Sequence, residues 1–153
     1  MKYELHLGDC LEVMKSIPDG SVDLILCDLP YGTTRNKWDS IIHFDALWAH
    51  YWRVLKPHGA VILTAAQPFT SALVMSQPGA FKYQWVWEKT QAVGHLNAWK
   101  QPMRKQEDIC VFYRKQPTYN PQIVDKPKEN IRHTPRLTRV HTESSYHVRR
   151  DRR

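Results

Sequence analysis

Apolar and polar positions along the chain predict alternating strands and helices. Residues 3–7 alternate like a half-buried strand, 22–27 form an apolar run typical of an interior parallel strand, and 60–65 form another. Residues 44–55 carry apolar side chains at helical spacing, and Pro68 begins a further helical segment. Asp9 can cap a short helix after the first strand. Strands and helices therefore alternate through the first half of the chain.

The following segments are rich in aromatic residues. Residues 81–88 and 108–113 predict two strands that pair as an antiparallel edge, joined by a polar connection over 90–107. This order of elements predicts an α/β fold: a Rossmann-like, doubly wound, mostly parallel sheet with an antiparallel edge. Since 153 residues suit a single core, we expect one domain.

The net charge of +7 is unevenly distributed. Residues 1–130 hold 11 Lys and 4 Arg against 13 acidic residues, a net charge of +2, whereas 131–153 hold 7 Arg against 2 acidic residues, a net charge of +5. A basic tail of this kind favours a polyanionic partner. No apolar stretch suits a bilayer or a secretory signal, so we expect a cytoplasmic protein without a membrane partner.

The cysteines and histidines do not predict a metal site. Cys10, Cys27 and Cys110 have no C-x-x-C spacing, and the eight histidines show no metal-binding pattern. We expect the cysteines to be reduced and mostly buried.

The residues that follow the first two predicted strands are the best candidates for chemistry, because ligands of such sheets bind beyond the carboxyl ends of the strands. Asp9 follows the first strand, and Asp28-Leu29-Pro30-Tyr31 follows the second. This tetrapeptide resembles the catalytic D-P-P-Y motif of the amino-group DNA methyltransferases. Residues 7–12, 17–23, 53–59 and 85–89 resemble further blocks of the permuted branch, in which the catalytic region precedes the cofactor region. The likeness covers roughly residues 3–120 and is closest to phage and prophage DNA methylases.

The resemblance implies methyl transfer from S-adenosylmethionine to a base extruded from double-stranded DNA, with N6 of adenine favoured and N4 of cytosine left open. The Asp28 carboxylate and the Leu29 carbonyl would accept the two amino hydrogens, and Tyr31 would stack on the base. Leu29 departs from the usual proline, but Pro30 still biases it toward an extended backbone. The alternative for this loop is an ordinary turn with a capping aspartate.

Further site residues follow from the resemblance, each with a plainer alternative. Asp9 would contact the adenosine part of the cofactor or serve only as a helix cap. Lys89 would help to line the base pocket or simply end a strand in solvent. The basic residues of the polar connection would contact DNA phosphates or form a solvated loop: Lys100, Arg104 and Lys105.

The glycine-rich turn that the family places against the methionine part of the cofactor is missing. The six glycines lie at positions 8, 20, 32, 59, 79 and 94, and no two are within ten residues of each other. We therefore expect a truncated or frameshifted methyltransferase, with residues 1–120 as the catalytic part and 121–153 as a poorly structured basic tail or the start of a target-recognition region. Alone, it would bind the cofactor weakly or not at all, and a homodimer or a partner would supply the missing lobe. The alternatives are a DNA-binding module without catalysis, and methylation of RNA or protein.

Overall fold

The computed structural model describes residues 3–122, and the chain up to Tyr119 forms one compact unit. Its four-stranded sheet has the order β1-β2-β4-β3, where β1 is Val22–Asp28, β2 is Leu55–Ala65, β3 is Phe81–Val93 and β4 is Arg104–Phe112. β1 and β2 are parallel, whereas β4 pairs antiparallel with both β2 and β3. The predicted α/β class with an antiparallel edge is confirmed, with one of the three described pairings parallel. The predicted tail lies outside the described residues from position 123 onward.

Three helices complete the unit: α1 (Cys10–Met14), α2 (Phe44–Val54) and α3 (Phe69–Ser76). In α2 the buried residues Leu47, Trp48, Tyr51 and Val54 form one stripe, as the spacing predicts. The helix ends because Leu55 is extended and begins β2 directly. β2 thus starts earlier than the predicted residue 60, because residues 55–59 continue the strand.

The core lies between the helices and one face of the sheet. Trp48 is 2% exposed and its ring centroid lies 5.0 Å from that of Phe112, so it packs in the core. Val61, Leu63 and Cys110 belong to the same buried cluster. Trp52 is only partly buried. It stacks on Trp48 with ring centroids 5.3 Å apart, and the Arg114 guanidinium lies 4.5 Å from the centre of the Trp52 ring. Trp52 therefore packs at the margin of the core.

The opposite face of the sheet is open at β1. Leu24 and Leu26 are 50% and 69% exposed, although the apolar sequence of β1 is typical of an interior strand. β1 is also an edge strand among the described residues. Both the edge and one face of an apolar strand are thus uncovered in this part of the chain.

Two segments differ from their prediction. Residues 3–7 form no strand, and Tyr3, Leu5 and Leu7 are exposed, because no described strand pairs with them and no face of theirs is buried. The predicted loop over 90–107 is also wrong at both ends, since β3 continues to Val93 and β4 begins at Arg104. The polar side chains at residues 90–91 and 104–106 are compatible with strands because they are exposed.

All three cysteines are free: Cys10 is exposed, Cys27 is partly buried and Cys110 is buried. The expectation that they are mostly buried is therefore wrong for Cys10. Burial raises the pKa of the Cys110 thiol to about 11, with a smaller contribution from the Asp108 carboxylate. No helix of the described residues has the length and apolarity to cross a membrane. The same residues contain no group of His, Cys, Asp and Glu side chains that could hold a metal ion.

Candidate functional site

The Asp28-Leu29-Pro30-Tyr31 loop leaves the carboxyl end of β1, where the parallel strand predicts a ligand site. Asp28 is the last residue of the strand and is exposed, whereas the Leu29 side chain is buried in the core. Pro30 and Tyr31 are partly buried. The loop thus presents its carboxylate to solvent while the next side chain holds the loop against the core.

Three oxygen atoms meet at this loop. The Tyr31 hydroxyl lies 2.9 Å from Asp28 Oδ1 and 2.8 Å from Thr64 Oγ1, and the Thr64 hydroxyl donates a hydrogen bond to the same Asp28 Oδ1. Two hydroxyl protons are therefore available for three contacts: Asp28 Oδ1 accepts in two of them and Thr64 Oγ1 in the third. Asp28 Oδ2 has no hydrogen-bond partner within residues 3–122. One carboxylate oxygen is held by the protein, and the other is left as an acceptor.

The Tyr31 ring is held on one side by another aromatic residue. It stacks on Phe69 with ring centroids 5.2 Å apart and an interplanar angle of 26°. Phe69 is itself buried and packs against Phe44. Burial is the main cause that raises the pKa of Tyr31, to which its hydrogen bond to Asp28 adds. The phenol is therefore a neutral donor, with one ring face covered by Phe69.

Asp39 fixes the segment that follows the motif. Its carboxylate accepts the main-chain N–H groups of Gly32 at 2.8 Å and Thr34 at 2.6 Å. Hydrogen bonds from the Thr34 side chain and from these N–H groups hold the pKa of Asp39 below its usual range. Gly32 has a φ of 68°, and a Cβ there would lie 2.9 Å from Ile41 Cγ1, so the turn requires glycine. Sequence analysis missed Asp39, whose only signal is an acidic residue near a glycine turn.

Asp9 caps α1. Its carboxylate accepts the N–H groups of Leu11 at 2.8 Å and Glu12 at 3.4 Å. The cap is observed directly, and the cofactor contact stays a prediction.

Lys89 lies on β3 and forms an ion pair with Glu107 of β4. Its ammonium also lies 5.6 Å from the centre of the Trp87 ring. The Glu107 carboxylate makes a small contribution to the raised pKa of Tyr31, after burial and Asp28. Lys89 is thus paired rather than free in solvent.

The three other basic candidates are separated by the strand boundary. Lys100 lies in the exposed connection between β3 and β4, whereas Arg104 and Lys105 lie on β4 itself. Arg104 donates a hydrogen bond to the Gln67 carbonyl at 3.4 Å, and Lys105 pairs with Glu88 at 2.7 Å. The prediction that all three lie on one loop is therefore wrong. Arg104 and Lys105 instead line a cleft of about 560 Å³ that also includes Gln67, directly after β2.

A cradle for the methionine part of S-adenosylmethionine is not found among residues 3–122. Gly32 and Gly59 approach other atoms closely, but those atoms belong to the chain itself, namely Ile41, Leu55 and Asp23. A Cβ at Gly20, Gly79 or Gly94 would meet open space. The described residues therefore offer Asp9 as an acceptor but no glycine turn against a ligand, and they do not by themselves fit the whole cofactor.

Comparison with known proteins finds similarity to DNA methyltransferases. No protein-family model matches it. It is 26% identical over 147 residues to the type II methyltransferase M.HpaI of Haemophilus parainfluenzae, covering 86% of this chain and 46% of that protein. The chain thus spans about half the length of this curated relative.

Two solved structures share the fold. The M1.HpyAVI complex with S-adenosylmethionine matches with a TM-score of 0.53 and 17% identity, over 82% of this chain and 61% of that one. The PvuII DNA methyltransferase, described as cytosine-N4-specific, matches with a TM-score of 0.57 and 14% identity, over 73% of this chain and 49% of that one. The four-stranded sheet and its helices therefore have the fold of part of a DNA methyltransferase.

Proposed function

We propose that the chain is the base-binding part of an S-adenosylmethionine-dependent DNA methyltransferase that acts on an exocyclic amino group, with adenine N6 favoured over cytosine N4. The observation that carries the proposal is the motif loop at the carboxyl end of β1, with an exposed Asp28 carboxylate beside Tyr31. The similarity to a type II methyltransferase over 86% of the chain supports it.

An exocyclic amine is a weak nucleophile because its lone pair is delocalised into the ring. Asp28 Oδ2 and the Leu29 carbonyl would accept its two hydrogens, which favours a pyramidal nitrogen with its lone pair turned out of the ring plane. Both acceptors come from adjacent residues of one loop, so a small shift of that loop changes both bonds. The burial of Leu29 and the hydrogen bonds of Asp39 limit such shifts.

The base must leave the duplex to reach these acceptors, which costs a few kcal/mol. The Tyr31 face that Phe69 does not cover would stack on the extruded base and offset part of this cost. Lys89 and Glu107 would line the far side of the base pocket as a donor and an acceptor. The pair suits the mixed donor and acceptor edge that both adenine and cytosine present.

The proposed contacts to DNA phosphates differ in strength. Lys100 has no acidic partner among the described residues and is exposed, so its charge is available to a phosphate. Lys105 is already paired with Glu88, and Arg104 is bonded to a main-chain carbonyl. We therefore assign the main contribution of these three residues to Lys100.

We propose that the elements that complete the cofactor site bind at the uncovered edge and face of β1. An additional strand would pair with β1, and helices would pack on Leu24 and Leu26. Both faces of β1 would then be buried, as its apolar sequence predicts. A second copy of the chain or a partner polypeptide would supply these elements. Asp9, at the start of α1, would then contact the adenosine part of the cofactor from this side.

Tritium transfer from labelled S-adenosylmethionine to mixed-sequence duplex DNA tests the function. At concentrations that let a second copy complete the cofactor site, wild-type protein is expected to label the DNA, and Asp28→Ala to abolish the label while retaining DNA binding. Salt-dependent DNA binding without transfer, unaffected by Asp28→Ala, would favour the non-catalytic DNA-binding module instead.

A further inference from the structure

Thr64 faces the motif loop from the neighbouring strand. It is the residue of β2 that lies opposite Asp28 in the parallel register, and on the other side β2 pairs it with Ile109 of β4. Thr64 therefore lies near the carboxyl end of a strand that is hydrogen-bonded on both sides. Its β-branched side chain has few rotamers, which further limits its movement.

The hydroxyl of Thr64 contacts both polar groups of the motif. It donates to Asp28 Oδ1 and lies 2.8 Å from the Tyr31 hydroxyl. Because Thr64 has a single hydroxyl proton and that proton goes to the carboxylate, its oxygen remains as an acceptor for Tyr31. The same side chain thus fixes the carboxylate and can anchor the phenol.

Residues of the motif loop alone would hold the Asp28 carboxylate less firmly than Thr64 does. Asp28 is exposed at the end of an edge strand, so a free carboxylate there would rotate about its side-chain bonds. The only other described donor to Asp28 is Tyr31, which lies in the same loop and must also serve the base. Among residues 3–122, Thr64 is the one hydrogen-bond partner that connects this carboxylate to the neighbouring strand.

We propose that Thr64 is a positioning residue that holds Asp28 through Oδ1 and so reserves Oδ2 for the amino group of the target base. The inference rests on the proposed function where it names the amino group of a base as the partner of Oδ2. That Thr64 holds the Asp28 carboxylate rests on the observed geometry alone. Thr64 touches neither base nor cofactor in this account. Its effect on the reaction passes through Asp28.

Three variants test the proposal in the full 153-residue chain. Thr64→Val keeps the shape and removes the hydroxyl, and Thr64→Ser keeps the hydroxyl. Thr70→Val is the matched control, because the Thr70 hydroxyl donates to another carboxylate, that of Asp108, at 2.8 Å. All three are checked for cooperative thermal unfolding.

The first measurement is the side-chain carboxylate resonance of Asp28 in protein labelled with ¹³C-aspartate, assigned with Asp28→Asn. Thr64→Val is expected to move this resonance, Thr64→Ser to retain it, and Thr70→Val to move only the resonance of Asp108. A purely structural role for Thr64 would not give this pattern. An Asp28 resonance that is the same in Thr64→Val and wild type would overturn the proposal.

The second measurement is methyl transfer. Losing one hydrogen bond to a charged group predicts a fall of roughly 10- to 100-fold in kcat for Thr64→Val, with KM for S-adenosylmethionine unchanged and activity rescued by Thr64→Ser. Full activity of Thr64→Val, or a Thr64→Ser variant as defective as Thr64→Val, would contradict the proposal. Absence of transfer by wild-type protein would count against the proposed function, whereas the Asp28 resonance decides the role of Thr64 independently.

Discussion

Replacing Leu29 with alanine tests whether the motif loop is anchored in the core. The Leu29 side chain is 6% exposed and belongs to the main buried cluster. Removing three buried carbons typically costs about 2–5 kcal/mol, through lost transfer free energy and the cavity left behind. Since a domain is usually stable by about 5–15 kcal/mol, this change removes a large part of the free energy of unfolding.

The assay is urea denaturation followed by tryptophan fluorescence, in which the buried Trp48 reports on the core. Leu96→Ala is the matched control, because Leu96 is 85% exposed in the connection between β3 and β4 and its truncation should cost less than about 0.5 kcal/mol. We expect a clearly lower midpoint for Leu29→Ala only. Equal midpoints for the two variants would refute the role of Leu29 as the anchor of the loop.

Two other predictions concern the loop and the DNA contacts. Because the pKa of Asp39 is lowered in the folded protein, its contribution to stability is complete above its unfolded pKa and is lost as the pH falls through the folded value. Thermal melts from pH 7 to pH 3 should therefore show a larger acid destabilisation for wild type than for Asp39→Asn, and equal losses would contradict the assignment. Lys100→Ala should weaken DNA binding at every sequence and reduce the magnitude of the salt slope by about one, whereas the ion-paired Lys105 should contribute less. Titrations by fluorescence anisotropy at several salt concentrations decide between the two lysines.

The sequence predicted the position of the motif loop because that position depends on local pattern. An apolar run that ends in a carboxylate indicates an interior parallel strand and places Asp28 at its carboxyl end. The burial stripe of α2 and the cap formed by Asp9 are likewise local, and both are confirmed. Each depends on residues within one or two turns of chain.

Thr64 could not be assigned in this way. It lies 36 residues from Asp28 in the chain, and only the register of β1 with β2 brings the two together. In the sequence it is one polar residue near the end of an apolar strand, which is equally consistent with an ordinary strand position. The prediction of a strand over residues 3–7 was wrong. The alternation of apolar and polar residues is a local pattern, whereas a strand also requires a neighbouring strand to pair with.

Nucleoside mass spectrometry of DNA from cells that express the wild-type chain or Asp28→Ala tests the central claim most directly. The proposed amino methylation predicts N6-methyladenine above background with wild type and only background with Asp28→Ala. N4-methylcytosine in its place would keep the reaction and change the base. Equal levels of methylated nucleosides with both proteins, or none with either, would contradict the proposal that the Asp28 loop methylates DNA.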